Sequence, residues 1–119
     1  MEGIFGRDGA TFLKTTVRMT SAMRESLRNA AKAYGGKGKS RWVREALEAL
    51  NADDPCLTTV GHGESAFVPE CSDQVILGPG DSDLLEQMVA RIRKQDPLAE
   101  GVQSQILRAA IRGRLQRST

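Results

Sequence analysis

The run Leu13-Lys14-Thr15-Thr16-Val17-Arg18-Met19 alternates strictly along its length. A period of two places Leu13, Thr15, Val17 and Met19 on one face of a strand, and Lys14, Thr16 and Arg18 on the other. Such a strand cannot stand alone, because its backbone edge and its apolar face both need partners. The residues after it read as helix. The partner must therefore be another copy of the same strand or a second strand further along.

Taken in order, Thr20 or Ser21 is suited to cap a helix in which Met23, Leu27, Ala30, Ala31 and Tyr34 recur at helical spacing. Gly35-Gly36-Lys37-Gly38-Lys39 stops it, and Ser40 is suited to cap a second helix with Trp42, Val43, Ala46, Leu47 and Leu50 as its apolar face. Trp42 lies in that stripe and reads as a core residue. Residues 52 to about 72 keep no period and read as a linker, with a short extended piece around Ser65-Ala66-Phe67-Val68. Gln74-Val75-Ile76-Leu77 is a compact β-type run closed by Gly78-Pro79-Gly80, and Asp81 and Ser82 are capping residues. Leu84, Leu85, Met88 and Ile92 form the next helical stripe, which Asp96-Pro97 breaks. After Gly101 a last helix carries Ile106, Leu107, Ala110, Ile111 and Leu115 on one face.

The order is strand, helix, helix, linker, strand, helix, helix: one unit twice. Residues 40–47 and 104–111 both fit Ser-x-Φ-Φ-Arg-x-Ala-Φ (Φ apolar) at an offset of 64. One helix earlier, Thr20, Met23, Leu27 and Ala31 align with Asp81, Leu84, Met88 and Ile92 at an offset of 61. An internal duplication accounts for both matches. The expected organisation is one domain over residues 1–119, built from a first repeat at 12–51, an acidic linker at 52–72 and a second repeat at 73–116.

A strand followed by two helices, with basic and hydroxyl residues on the strand and a serine at the start of the second helix, resembles the ribbon-helix-helix DNA-binding family. The resemblance covers nearly all of residues 12–50 and, more loosely, residues 74–115. It implies a mainly α fold in which two strands form a short antiparallel ribbon and four helices form one interlocked core. It also implies that the ribbon enters the DNA major groove and that the start of each second helix grips a phosphate. Two chains usually supply the two copies. Here one chain carries both, so the simplest partner for Leu13–Met19 is Gln74–Leu77, giving a monomer with intramolecular strand pairing. The alternative is a dimer in which the first strands of two chains pair.

The chemistry of the outer strand face agrees with that expectation. The major groove admits a two-stranded ribbon and exposes a distinct hydrogen-bonding pattern for each base pair. Lys14 and Arg18 can donate to guanine, and Thr16 can hydrogen-bond or pack its methyl on thymine. The family's base-contacting strand positions map onto these three. Alone, such a face would read as merely solvated; the two helices behind it favour DNA. Ser40 heads a helix, where free amides and the helix dipole attract phosphate, and Lys37, Lys39 and Arg41 surround it. Ser104, between Gln103 and Gln105, is a less charged version.

The second strand departs from the pattern. Aligned without a gap, Val75 and Leu77 occupy base-reading positions; a shifted register leaves Gln74 and Ile76 outside instead. Either way it lacks the two cations of the first, so lopsided readout and weak sequence preference are expected. The charge distribution is uneven too. Residues 1–52 carry ten Lys/Arg and five Asp/Glu, residues 53–73 none and five, and residues 74–119 seven and five. An acidic middle between basic ends suggests a solvated linker held away from any polyanion.

Other functions find little support. Cys56, His62 and Cys71 do not match a zinc-ligand spacing, and reduced thiols are the default without signs of export. The single His lacks a placed nucleophile or carboxylate pair, Gly35–Ser40 lacks the phosphate-loop spacing, and aromatics at 4% argue against single-strand stacking. No catalytic residues, cofactor or metal are expected, and no apolar run suggests a membrane span or signal segment, so the expected location is cytoplasmic. The Gly-rich start reads as a flexible arm or the cut end of a longer protein.

Tandem single-chain forms of the family occur among conjugation and plasmid-transfer accessory proteins. The resemblance therefore implies double-stranded DNA as partner, T-DNA or plasmid transfer as the setting, and a relaxase or other transfer-complex protein as a further partner. Alternatives are a transcriptional repressor, an antitoxin, for which Gln116 to Thr119 is a short tail, or a protein-interaction module that has lost DNA contact.

Overall fold

The computed structural model describes residues 13–36, 38–61, 64 and 68–117. Strand β1 (Leu13–Met19) is followed by α1 (Ser21–Ala31) and α2 (Gly38–Asp53), then by β2 (Cys71–Leu77), α3 (Pro79–Gln95) and α4 (Val102–Arg117). The two strands pair antiparallel within the chain, with Leu13 opposite Leu77, Thr16 opposite Gln74 and Met19 opposite Cys71. The arrangement is mainly helical and consistent with a tandem ribbon-helix-helix unit.

Both strands show the same alternation, with inner faces Thr15, Val17, Met19 and Asp73, Val75, Leu77 buried. The apolar members close over a core of Leu27, Val43, Leu47, Leu85, Met88, Ile106, Leu107 and Ile111, each at 0% exposure. Fully burying one such side chain stabilises the fold by about 1.5–3 kcal/mol. Trp42 is in this core, as expected. The repeats interlock: α2 and α4 form the most extensive helix–helix interface, α2 packs on β2, and α4 packs on β1. Each second helix thus supports the strand of the other repeat.

Element ends follow local chemistry, with corrections to the sequence reading. Thr20 caps α1, its hydroxyl accepting from the Met23 N–H at 3.1 Å. A short 3-10 turn (Lys32–Tyr34) comes next, ending at Gly35 in a left-handed conformation (φ +89°). Helix α2 begins at Gly38, so Ser40 is its third residue and not its cap. Strand β2 begins at Cys71, three residues before the expected Gln74, which shortens the linker. Gly78 takes the N-cap position of α3 and Pro79 is its first residue, where a missing N–H costs nothing. Asp81 and Ser82 therefore lie inside the helix, Asp81 in its first turn. Helix α3 ends at Gln95, before Asp96-Pro97.

Helices α2 and α4 are both 16 residues long and start 64 apart, as the serine motifs require. The strands, however, are related by 58 and not by the 61 of the first-helix alignment. The longer α3 and the turn after it take up the difference.

The linker is not simply solvated. Leu57 is buried (6% exposed) despite a left-handed backbone at φ +57°. That conformation costs about 1–2 kcal/mol in a non-glycine residue, which burial of a leucine offsets. Asp54 braces the turn by accepting from the N–H and hydroxyl groups of both Thr58 and Thr59 at 2.6–3.0 Å. These bonds outweigh the effect of burial and hold its pKa down to about 2. Further on, Glu64 is buried against α4, and Glu70 accepts from the Ser21 N–H at 2.8 Å. His62 and most of the expected extended piece at 65–68 lie outside the described residues.

Candidate nucleic-acid interface

The outward face of the ribbon presents six exposed side chains: Lys14, Thr16 and Arg18 from β1, and Ser72, Gln74 and Ile76 from β2. An approximate two-fold through the Thr16–Gln74 pair relates Lys14 to Ser72 and Arg18 to Ile76. Directly across the strands, Lys14 faces Ile76 and Arg18 faces Ser72. Both cations of the face thus belong to one strand. Among the described residues, no hydrogen bond or ion pair engages the side chain of either.

Of the two registers open to the second strand, the structure has the one that leaves Gln74 and Ile76 outside, and it adds Ser72. The period of two from Cys71 to Leu77 was present in the sequence but disguised. Asp73 is an acid at an inward position where an apolar residue is the rule, and it is 8% exposed. Its partner explains it: Lys39 Nζ donates to Asp73 Oδ1 at 2.6 Å. Burial pushes the Asp73 pKa up, but the Lys39 bond and charge, with Arg28, hold it below the usual carboxylate range. The two-fold relates this pair to a neutral one, the Thr15 hydroxyl and Gln103 Oε1 at 3.3 Å.

The two helix starts are fastened to the ribbon by their serines. Ser40 Oγ accepts from the Ile76 N–H at 3.0 Å, and Ser104 Oγ donates to the Thr16 carbonyl at 3.4 Å. Each hydroxyl joins a second helix to the strand it packs on, so the serine motif has a structural use not evident from capping alone.

The expected phosphate-contact residues fare unequally. Lys37 lies outside the described residues. Lys39 is committed to Asp73. Arg41 bonds Glu45 at 3.1 Å and sits 4.9 Å from the Tyr34 ring centre, yet its side chain stays 63% exposed. Glu45 is held below its ordinary pKa, first by the Tyr34 hydroxyl, which works against the opposing effect of burial, and then by Arg41 and Arg114. Around Ser104 the setting is different. Exposed Asp96 and Glu100 stand in the preceding turn, where the first repeat has its glycine- and lysine-rich stretch.

One cluster was missed by sequence reasoning. Arg108 donates from Nε and Nη2 to the two oxygens of Glu64 at 2.9 Å each, and Arg112 Nη1 donates to Glu64 Oε2 at 2.6 Å. Burial pushes the Glu64 pKa up, but Arg108 and Arg112 outweigh it and hold it below the usual range. Arg108 also donates to the Arg18 carbonyl at 2.9 Å. The shared arginine of the repeat motif was the available signal; its linker partner had none.

Cys56 is exposed, Cys71 is half-buried, and both are free thiols. Among the described residues no helix is long and apolar enough to cross a membrane, and no group of three potential metal ligands converges. Comparison with models of protein families, with curated proteins and with solved structures finds no match to this chain.

Proposed function

We propose that this protein is a non-enzymatic double-stranded-DNA-binding accessory protein that places its ribbon in the major groove. The observation that carries this reading is the outer ribbon face, with Lys14 and Arg18 exposed on β1 and Thr16 between them. A ribbon of two strands fits the groove, where Lys and Arg pair with guanine, Gln74 is suited to adenine, and Ile76 and the Thr16 methyl are suited to thymine methyls. Backbone phosphates fall to the first turn of α2, through its amides and Arg41. Ser104 and the start of α4, beside Asp96 and Glu100, contribute less.

A reader of this kind suits a site with a direction, such as a transfer origin or a T-DNA border. There the protein would assist DNA processing beside a relaxase or other transfer-complex protein in the cytoplasm. Titration of such a fragment and of scrambled duplex at two salt concentrations tests the reading. The expected result is salt-dependent binding, with Lys14→Ala/Arg18→Ala costing about 1–3 kcal/mol for each lost base contact and narrowing the preference for the fragment over scrambled duplex. Equal and negligible binding of both duplexes would end it.

A further inference from the structure

The outer side of α1 carries charge that the ribbon does not use. Arg24 and Arg28 lie four residues apart on one face of the helix, and Lys32, a further four on, opens the 3-10 turn at its end. Two recesses run along it. One, of about 400 Å³, is bounded by Ser21, Arg24, Arg28, Lys32 and Cys71; the other, of about 310 Å³, by Arg28, Lys32, Gly35, Gly36 and Lys39. They share Arg28 and Lys32. Together they form one trough from the end of the ribbon to the start of α2.

Its charge is only partly neutralised. Asp73 lies beneath the trough and faces three cations: Lys39 at 2.6 Å, Arg28 Nε at 3.5 Å and Arg24 Nε at 4.0 Å. Neither Asp73 Oδ2 nor Arg24 Nε, both buried, has a hydrogen-bond partner among the described residues. Arg28 is 51% exposed, and the exposed Lys32 side chain has no bonded partner among the described residues. Glu25 lies on the trough's rim, and Glu70, which accepts from the Ser21 N–H, stands at its ribbon end. The second repeat lacks cations at the matching positions. Shifted by the 58 that relates the strands, the three cations become Ser82, Glu86 and Ala90.

We propose that this trough is a second contact for duplex DNA, in which Arg28 and Lys32, backed by Arg24, take backbone phosphates flanking the ribbon on the side of the first repeat only. The assignment rests on the DNA-binding reading above. Charge complementarity names the occupant: a row of cations that starts at the end of the ribbon suits the backbone of a polyanion.

The test uses the full chain and two duplexes, one of about one helical turn (~10 bp) and one extended by roughly half a turn at each end. Arg28→Ala/Lys32→Ala is expected to bind the short duplex as the parent does. On the long duplex it is expected to lower the salt slope by about 2, near 0.9 for each phosphate no longer neutralised. Lys32→Ala alone, which removes no bonded partner, should lower it by about 0.9 and guards against a folding defect in the double variant. Parent-like slopes for both variants on the long duplex would overturn the proposal, as would equal losses on the two duplexes. If the parent itself binds neither duplex, the DNA-binding reading fails and the proposal with it.

Discussion

Arg108 Nη1 donates to the backbone carbonyl of Arg18 at 2.9 Å while the rest of its guanidinium grips Glu64 through both carboxylate oxygens. One buried side chain on α4 thereby joins β1, the linker and the second repeat. It is 6% exposed, and Glu64 is 8% exposed at its side chain.

Removing Glu64 leaves the buried Arg108 without its carboxylate, whereas removing Arg108 still leaves Arg112 on Glu64 at 2.6 Å. Glu64→Ala should destabilise the fold by about 3–5 kcal/mol, and Arg108→Ala by less. Because they share one interaction, the double variant should lose clearly less than the two losses added together. Urea unfolding of the four proteins measures this; strict additivity would show that the pair is not coupled.

Acid should act through the same groups. Glu64, Asp73 and Asp54 are held below the pKa values they have when unfolded. The unfolded chain then binds more protons, so their contribution is fully present above the ordinary carboxylate range and is lost as pH falls through the folded values. For Asp54 that loss extends down to about pH 2. Glu48 has the opposite sign: the Asp81 carboxyl, burial, and the charges of Asp81 and Glu45 raise its pKa. Its protonated form favours the fold, and stability is lost as pH rises through its titration. Glu48→Gln should therefore stabilise the fold at pH 7 by an amount on the order of 0.5 kcal/mol, the usual size of surface charge effects, and thermal unfolding reads it as a higher Tm. The gain should vanish by about pH 3.5, below the reference carboxylate values.

Two glycines separate by what surrounds them. A methyl on Gly38 would run into Tyr34 Cβ, whereas one on Gly80 meets nothing within 4 Å. Gly38→Ala should cost about 1–3 kcal/mol through overpacking at the start of α2. Gly80→Ala should add up to about 0.5–1 kcal/mol by helix propensity. Thermal unfolding reads both, and equal effects would refute the packing argument.

The lopsided reading face can be made even. Ser72→Lys/Ile76→Arg copies Lys14 and Arg18 through the two-fold. On the proposed function it should tighten duplex binding, by about 1–3 kcal/mol for each new base contact. The free protein should lose about 0.5–2 kcal/mol, because Ile76→Arg sets a cation directly opposite Lys14 and Ser72→Lys sets one directly opposite Arg18. Unchanged affinity would mean that β2 stays out of the groove.

The elements and the intrachain ribbon were legible because they rest on local periodicity and on a repeated serine–arginine motif. Trp42 could be placed in the core from its stripe, and Thr16 and Arg18 on the outside from theirs. What hid was long-range and polar. Asp73 disguised the first half of β2 because its partner, Lys39, lies 34 residues away. Glu64 looked like one more acid of a solvated linker because Arg108 lies 44 residues beyond it. Pairs of this kind leave no period in the sequence, and the same holds for the commitment of Lys39 to Asp73.

The strand pairing has one more consequence. Because β1 finds β2 within its own chain, closing the ribbon needs no encounter between molecules, and its two edges are free to diverge. A two-fold reader sits on a duplex identically when turned end for end. On the proposed function this ribbon would not: with Lys14 and Arg18 on one edge and Ser72 and Ile76 on the other, a single bound copy would give the duplex a heading.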